Sequence, residues 1–167
     1  MKRLLLIAVW CLCVGYIAAE IPVEREQEFT YYWYAAKQAI EDKDYPRALM
    51  LLRFCEQIDA TDGKTQEYLG LIYSALHDDA EAERHLAQAY TNNPELWRGY
   101  VQILLQQSNG DRKAVKRAIK VVEKVSKREP KEQEVWENLV RLYAAGGKYR
   151  KALKAQDKLE KLTGYDA

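Results

Sequence analysis

Two histidines, His77 and His85, and three cysteines, Cys11, Cys13 and Cys55, are the side chains of this 167-residue sequence best suited to metal or nucleophile chemistry. Glu81 and His85 stand four residues apart, a spacing that puts two ligands on one helical face and could hold a divalent metal. No cysteine, third histidine or defined carboxylate cluster completes the set. The pair therefore reads as a surface contact, and no metal or other cofactor is expected. Asp78-Asp79 reads as helix-capping chemistry rather than a general acid and base. The Gly-x-Ser-x-Gly elbow, the phosphate-binding loop and the Gly-x-Gly-x-x-Gly turn do not occur in the sequence. No catalytic residue is assigned, and the chain is expected not to be an enzyme.

Its charges are distributed unevenly. The 26 Lys/Arg and 25 Asp/Glu almost cancel. Residues 20–96 nevertheless hold 7 basic and 16 acidic side chains (−9), whereas residues 97–167 hold 17 and 9 (+8). Such a split suits an oriented partner or a head-to-tail contact between copies. Arg112, Lys113, Lys116, Arg117, Lys120, Lys124, Lys127 and Arg128 fall within an arc of roughly 160° on one predicted helix. Val115, Ala118, Ile119, Val122 and Val125 fall opposite. The stripe is either a solvated outer face or an anion-binding one, and no aromatic residue interleaves it to stack bases. Nucleic acid is not an expected partner.

Residues 1–19 have the grammar of an export leader. Lys2-Arg3 precede an uncharged, mostly apolar run from Leu4 to Ala19 that ends in small residues. At about 16 residues the run is shorter than the roughly 20 of a spanning helix, so cleavage after Ala19 is preferred over a retained anchor. Neither Cys11 nor Cys13 follows the small residue that a lipid-modified cysteine has before it in lipoprotein leaders. Removal of the leader leaves Cys55, which has no disulfide partner and sits at a small-residue helix position, where a buried inert thiol is expected. A short leader and the lack of disulfides fit a bacterial periplasm or cell envelope, with membrane contact only through the transient leader.

The elements that must position these residues announce themselves by a repeat. Ala48, Ala82, Ala118 and Ala152 recur at intervals of 34, 36 and 34 residues. Four residues after them come Leu52, Leu86, Val122 and Gln156; seven after, Cys55, Ala89, Val125 and Leu159. Pro94 and Pro130 follow two of the four units, and the second unit carries Leu69-Gly70-x-x-Tyr73 while the fourth carries Trp136-x-x-Leu139-x-x-x-Tyr143. This pattern resembles the tetratricopeptide repeat family, whose first helix reads Trp-x2-Leu-Gly-x2-Tyr and whose second begins on a buried Ala. The resemblance covers residues 29–164 in four units, about 29–62, 63–96, 97–132 and 133–164. Residues 20–28 read as a linker and 165–167 as a tail. Ala60 stands where unit one would carry its proline, and Leu104 and Gln107 depart from the pattern in unit three, whose two extra residues fit the loop from Ser108 to Asp111. Asp44, Asp79 and Asp111 are placed as helix caps, and Gly146-Gly147 and Gly164 follow helical runs.

The resemblance implies an all-α, right-handed superhelical solenoid of eight helices in four helix-turn-helix hairpins. It also implies a concave groove lined by the second, fifth and ninth residues of each unit. These are Thr30, Trp33 and Lys37; Lys64, Glu67 and Leu71; Arg98, Val101 and Leu105; and Glu134, Glu137 and Arg141. An apolar middle with charged ends suits an extended or helical peptide, although Trp33, Leu71, Val101 and Leu105 could equally serve packing between units. Trp33, Lys37 and Tyr68 replace the Lys and Asn residues with which some members clamp a chaperone carboxylate, so that role is not expected. The aromatic run Phe29-Thr-Tyr-Tyr-Trp-Tyr34 could bury against unit two as a cap or offer a sticky exposed edge. At the other end Leu139, Tyr143, Leu153, Leu159 and Leu162 are expected to be incompletely covered, which points to dimerisation, end-on docking or a longer array. The expected function is a non-enzymatic protein-protein interaction module, an adaptor or assembly scaffold of the cell envelope. The alternatives are self-association into homo-oligomers or docking on an anionic surface through helix 112–128.

Overall fold

A computed structural model describes residues 22–107 and 111–164. The leader, the loop residues 108–110 and the tail 165–167 lie outside the described residues. Among those described, eight α-helices form and no strand. They are α1 (Val23–Glu41), α2 (Tyr45–Ile58), α3 (Gly63–Ala75), α4 (Asp79–Asn92), α5 (Trp97–Gln106), α6 (Arg112–Arg128), α7 (Gln133–Ala145) and α8 (Tyr149–Thr163), with a short 3-10 turn at Pro94–Leu96. Each odd helix packs on the even helix that follows it, and each even helix packs on the next odd one. The arrangement is an all-α solenoid of four hairpins.

The recurring positions fall at equivalent places. Ala48, Ala82 and Ala118 are wholly buried and Ala152 nearly so. Leu52, Leu86 and Val122, four residues on, are also buried, as are Cys55, Ala89 and Val125 at seven. The small residues let the helices of a hairpin approach, and the large ones fill the space between units. Leu86 of α4 shows how tight this is. A Cβ on Gly70 would lie 2.5 Å from its Cγ, and a Cβ on Gly99 2.9 Å from its Cδ2. One leucine is thus held between the backbones of α3 and α5.

Three hairpins turn in the same way. Lys43 and His77 at φ 60° and Gly147 at φ 68° occupy equivalent left-handed positions. The next amide donates to the carbonyl five residues back, Asp44 N to Ala39 O at 2.8 Å, Asp78 N to Tyr73 O at 2.9 Å and Lys148 N to Tyr143 O at 2.7 Å. This is the Schellman closure of a helix C-terminus, and it satisfies carbonyls that the helix leaves open. Asp44 and Asp111 cap α2 and α6 as the sequence suggests, accepting from Arg47 N and Lys113 N. The cap of α4 is Asp78, not Asp79, because the turn closes one residue earlier and leaves Asp79 as the first helical residue.

Two further expectations need correction, and a third is resolved between the alternatives left open. The stretch read as a linker at 20–28 is helix from Val23 on, since Pro22 starts the helix and Glu24 and Glu26 in the first turn favour its positive N-terminal end. Arg25 Nη2 ties this overhang to Gln57 O at 3.2 Å. Leu139 and Tyr143 are buried, because α7 packs between α6 and α8. Of that set, Leu159 and Leu162 are half-buried and Leu153 is exposed. Third, the aromatic run divides its work. Trp33 packs edge-on against Tyr68 of unit two with centroids 5.2 Å apart and Tyr32 stacks on Phe54 at 4.9 Å, while Tyr31 and Tyr34 remain exposed.

Candidate functional site

The residues expected to line a groove stand on α1, α3, α5 and α7. On α5 and α7 they meet. Arg98, Val101 and Leu105 face Glu134 and Arg141 across a cleft of about 290 Å³ that Trp97, Gln102 and Asn138 complete. Arg98 binds Glu134 with two close contacts, Nε to Oε2 at 2.7 Å and Nη2 to Oε2 at 2.6 Å. Its guanidinium also lies 4.9 Å from the Trp97 ring centroid. The Glu134 carboxylate raises the Arg98 pKa further, so the cation is permanent. Arg141 reaches only Asn138 Oδ1, at 3.4 Å. The cleft therefore carries one neutralised ion pair, one further cation and an apolar floor.

A second cleft of about 280 Å³ continues toward α3, lined by Leu71, Ser74, Ile103 and Gln106, and Gln102 belongs to both. Leu71 is 42% exposed and Leu105 36%, whereas Val101 is only 3% exposed and serves as floor rather than contact. Lys37 is exposed and further along α1. Lys64 and Glu67 pair with each other at 2.9 Å, and Glu137 accepts from Gln133 at 2.7 Å, so these three engage their own helix rather than the two clefts. Trp33 is half-buried against Tyr68. Gln102, Gln106 and Asn138 were not picked out from the sequence. Gln102 and Asn138 share the sixth place of their units, one residue past the fifth, and a groove-facing helical arc that includes i and i+3 also includes i+4.

Glu81 and His85 do not form a surface pair. His85 is 0% exposed and sits in a polar chain across units one and two. Arg84 Nη2 donates to Nε2 at 2.6 Å, Nδ1 donates to Gln66 Oε1 at 2.7 Å, and Gln66 Nε2 donates to Glu56 Oε1 at 3.0 Å. Tyr73 stacks on the ring at 5.5 Å. Burial, with Arg84 and Arg53 nearby, pushes the His85 pKa down to about 4 against the opposing pull of Glu56 and Glu81. The imidazole is neutral, with its proton on Nδ1. Among the described residues no three His, Cys, Asp or Glu side chains gather in a metal-binding group. Cys55 is buried, its thiol pushed up to about 11 chiefly by desolvation, which makes it a poor nucleophile.

On α6 every basic residue of the stripe is exposed and the opposing valines, Ala118 and Ile119 are buried. Arg117 pairs with Glu83 and Arg128 with Glu129. Lys113, Lys116, Lys120, Lys124 and Lys127 have no acidic partner among the described residues. No described helix is long and apolar enough to cross a membrane.

Stacked hairpins with a buried alanine early in each second helix, and a closing turn shared by three of them, define a tetratricopeptide-repeat solenoid. Solved structures agree on the fold. MamA residues 41-end from Desulfovibrio magneticus RS-1 superposes with a TM-score of 0.66 at 18% identity, over 81% of this chain and 75% of that one. Another MamA crystal structure gives 0.67 at 16% identity, over 82% and 79%. Pseudomonas aeruginosa PilF gives 0.63 at 17% identity, over 83% and 63%. No protein-family profile and no curated protein matches the sequence. The likeness at these identities is one of fold.

Proposed function

We propose that this protein is a non-enzymatic interaction module that holds a peptide segment of a protein partner in its concave groove. The observation that carries the reading is the pair of clefts across α3, α5 and α7, whose linings share Gln102. Exposed Leu71 and Leu105 flank a buried Val101 floor, and Arg98, Glu134 and Arg141 stand at one end. Apolar anchors bounded by polar side chains suit a segment whose own side chains bury while its backbone is held at the rim. The 1–19 leader supports an adaptor or assembly role in the cell envelope. Crosslinking and co-purification with the wild-type chain test this. Leu71→Ala with Leu105→Ala should weaken a specific partner about tenfold or more. Retention of every partner by that variant would refute groove binding.

The charge split favours a second reading, self-association of the acidic half of one copy with the basic half of another. Sizing chromatography separates the two, since oligomers that dissolve in salt support self-association and a monomer at every concentration removes it.

A further inference from the structure

The basic stripe on α6 is half of a larger surface. Two residues after the repeat alanine stand Lys120 in unit three and Lys154 in unit four. Six after it stand Lys124 and Lys158, nine after it Lys127 and Lys161, and two before it Lys116 and Arg150. All eight are exposed, and none has an acidic partner among the described residues. Units one and two carry Met50 and Arg84, Phe54 and Gln88, Gln57 and Thr91, and Pro46 and Ala80 at the same places. Only Arg84 of these is a cation, and Glu81 neutralises it at 2.7 Å. The two cationic helices are neighbours, since Lys151 of α8 reaches Glu123 of α6 at 3.0 Å. The repeat thus sets two parallel rows of cations, about one per turn of roughly 5.4 Å, on the side of α6 and α8 opposite their buried alanines. Asp157 is the exposed acid of α8, and Glu123 of α6 is half-buried and also accepts from Tyr143 Oη at 2.8 Å.

From this geometry we propose that the outer face of units three and four docks on an anionic lipid surface. Seven of the eight cations are lysines, point charges without the planar fork that reads individual phosphates or carboxylates in pairs. The rows contain no aromatic side chain to stack bases and no apolar wedge. A dense layer of laterally mobile anionic headgroups fits an array of separate, unforked charges, each lysine near such a surface strengthening attachment roughly five-fold. The groove on the first helices then faces away from the lipid, so docking does not depend on whether the groove is occupied.

The test is sedimentation of the full chain with vesicles of phosphatidylcholine alone and of phosphatidylcholine mixed with phosphatidylglycerol. Binding should appear only on the mixed vesicles and fall steeply with salt. Lys120→Gln, Lys124→Gln, Lys154→Gln and Lys158→Gln together should lower it by more than about a hundred-fold. These positions are exposed, so an unchanged circular dichroism spectrum is expected alongside. Equal binding to neutral vesicles would report the apolar segment 4–19 and overturn the proposal. So would a substituted chain that binds like the original, or tighter salt-sensitive binding to duplex DNA or to a second copy than to the mixed vesicles.

Discussion

His85 links a single proton to the joint between units one and two. Its ring accepts from Arg84, donates to Gln66 and stacks on Tyr73, with Glu56, Arg53 and Glu81 around it. Its folded pKa of about 4 lies below the ordinary 6.5, so the unfolded chain takes up the proton first. Stability from this group is complete above pH 6.5 and is lost as pH falls from 6.5 toward 4, by on the order of 3 kcal/mol. Urea midpoints measured across that range should decline on acidification, and His85→Gln should flatten the decline. A wild-type midpoint constant between pH 7 and 5 would show that the ring is not held neutral. The sequence could not reveal this. The i,i+4 spacing of Glu81 and His85 is visible, but Gln66 and Glu56, which bury and satisfy the ring, come from other helices at separations that no local pattern encodes.

At the level of the helix pair, strain and close packing set the sensitivities. Lys43 and His77 adopt a left-handed conformation that unit four assigns to Gly147. A side chain there costs about 1 kcal/mol, so His77→Gly should raise the melting temperature by a few degrees. A fall would show that the His77 side chain contributes more than its backbone strain removes. Gly70→Ala should do the reverse, because a methyl would meet Leu86 Cγ at 2.5 Å. A loss of about 1–3 kcal/mol is expected by thermal or chemical denaturation, and a neutral result would mean the α3–α4 contact is looser than described. Helix number and pairing were readable because alanine spacing, capping aspartates and turn residues all agree. Boundaries were less so. The start of α1 is hidden by a polar stretch with no apolar periodicity, and the cap of α4 is ambiguous between Asp78 and Asp79 because both side chains can accept from the first turn. Burial of Leu139 and Tyr143 follows from the fit of α7 between two helices, which a one-dimensional pattern does not measure.

Considered whole, the molecule separates two surfaces. First helices present two clefts with exposed leucines and an ion pair, and the second helices of units three and four present lysine rows. The family resemblance proposed groove positions on each first helix, but it gave Lys64, Glu67 and Glu137 no distinction from Leu71 and Leu105, which line the clefts. Those three are partnered along their own helices, a property of side-chain reach rather than of position. The lysine row on α8 is equally present in the sequence, and becomes meaningful only once Lys151 of α8 is seen to reach Glu123 of α6.

That division of surfaces can be read directly by a heteronuclear NMR titration of the full chain with peptides selected against it from a random library. Saturable shifts should concentrate on the amides of Leu71, Val101, Gln102, Leu105 and Asn138 and leave those of Lys120 and Lys154 still. Shifts confined to the α6 and α8 amides, or a library that yields no saturable ligand, would show that the groove is not where this protein meets its partners.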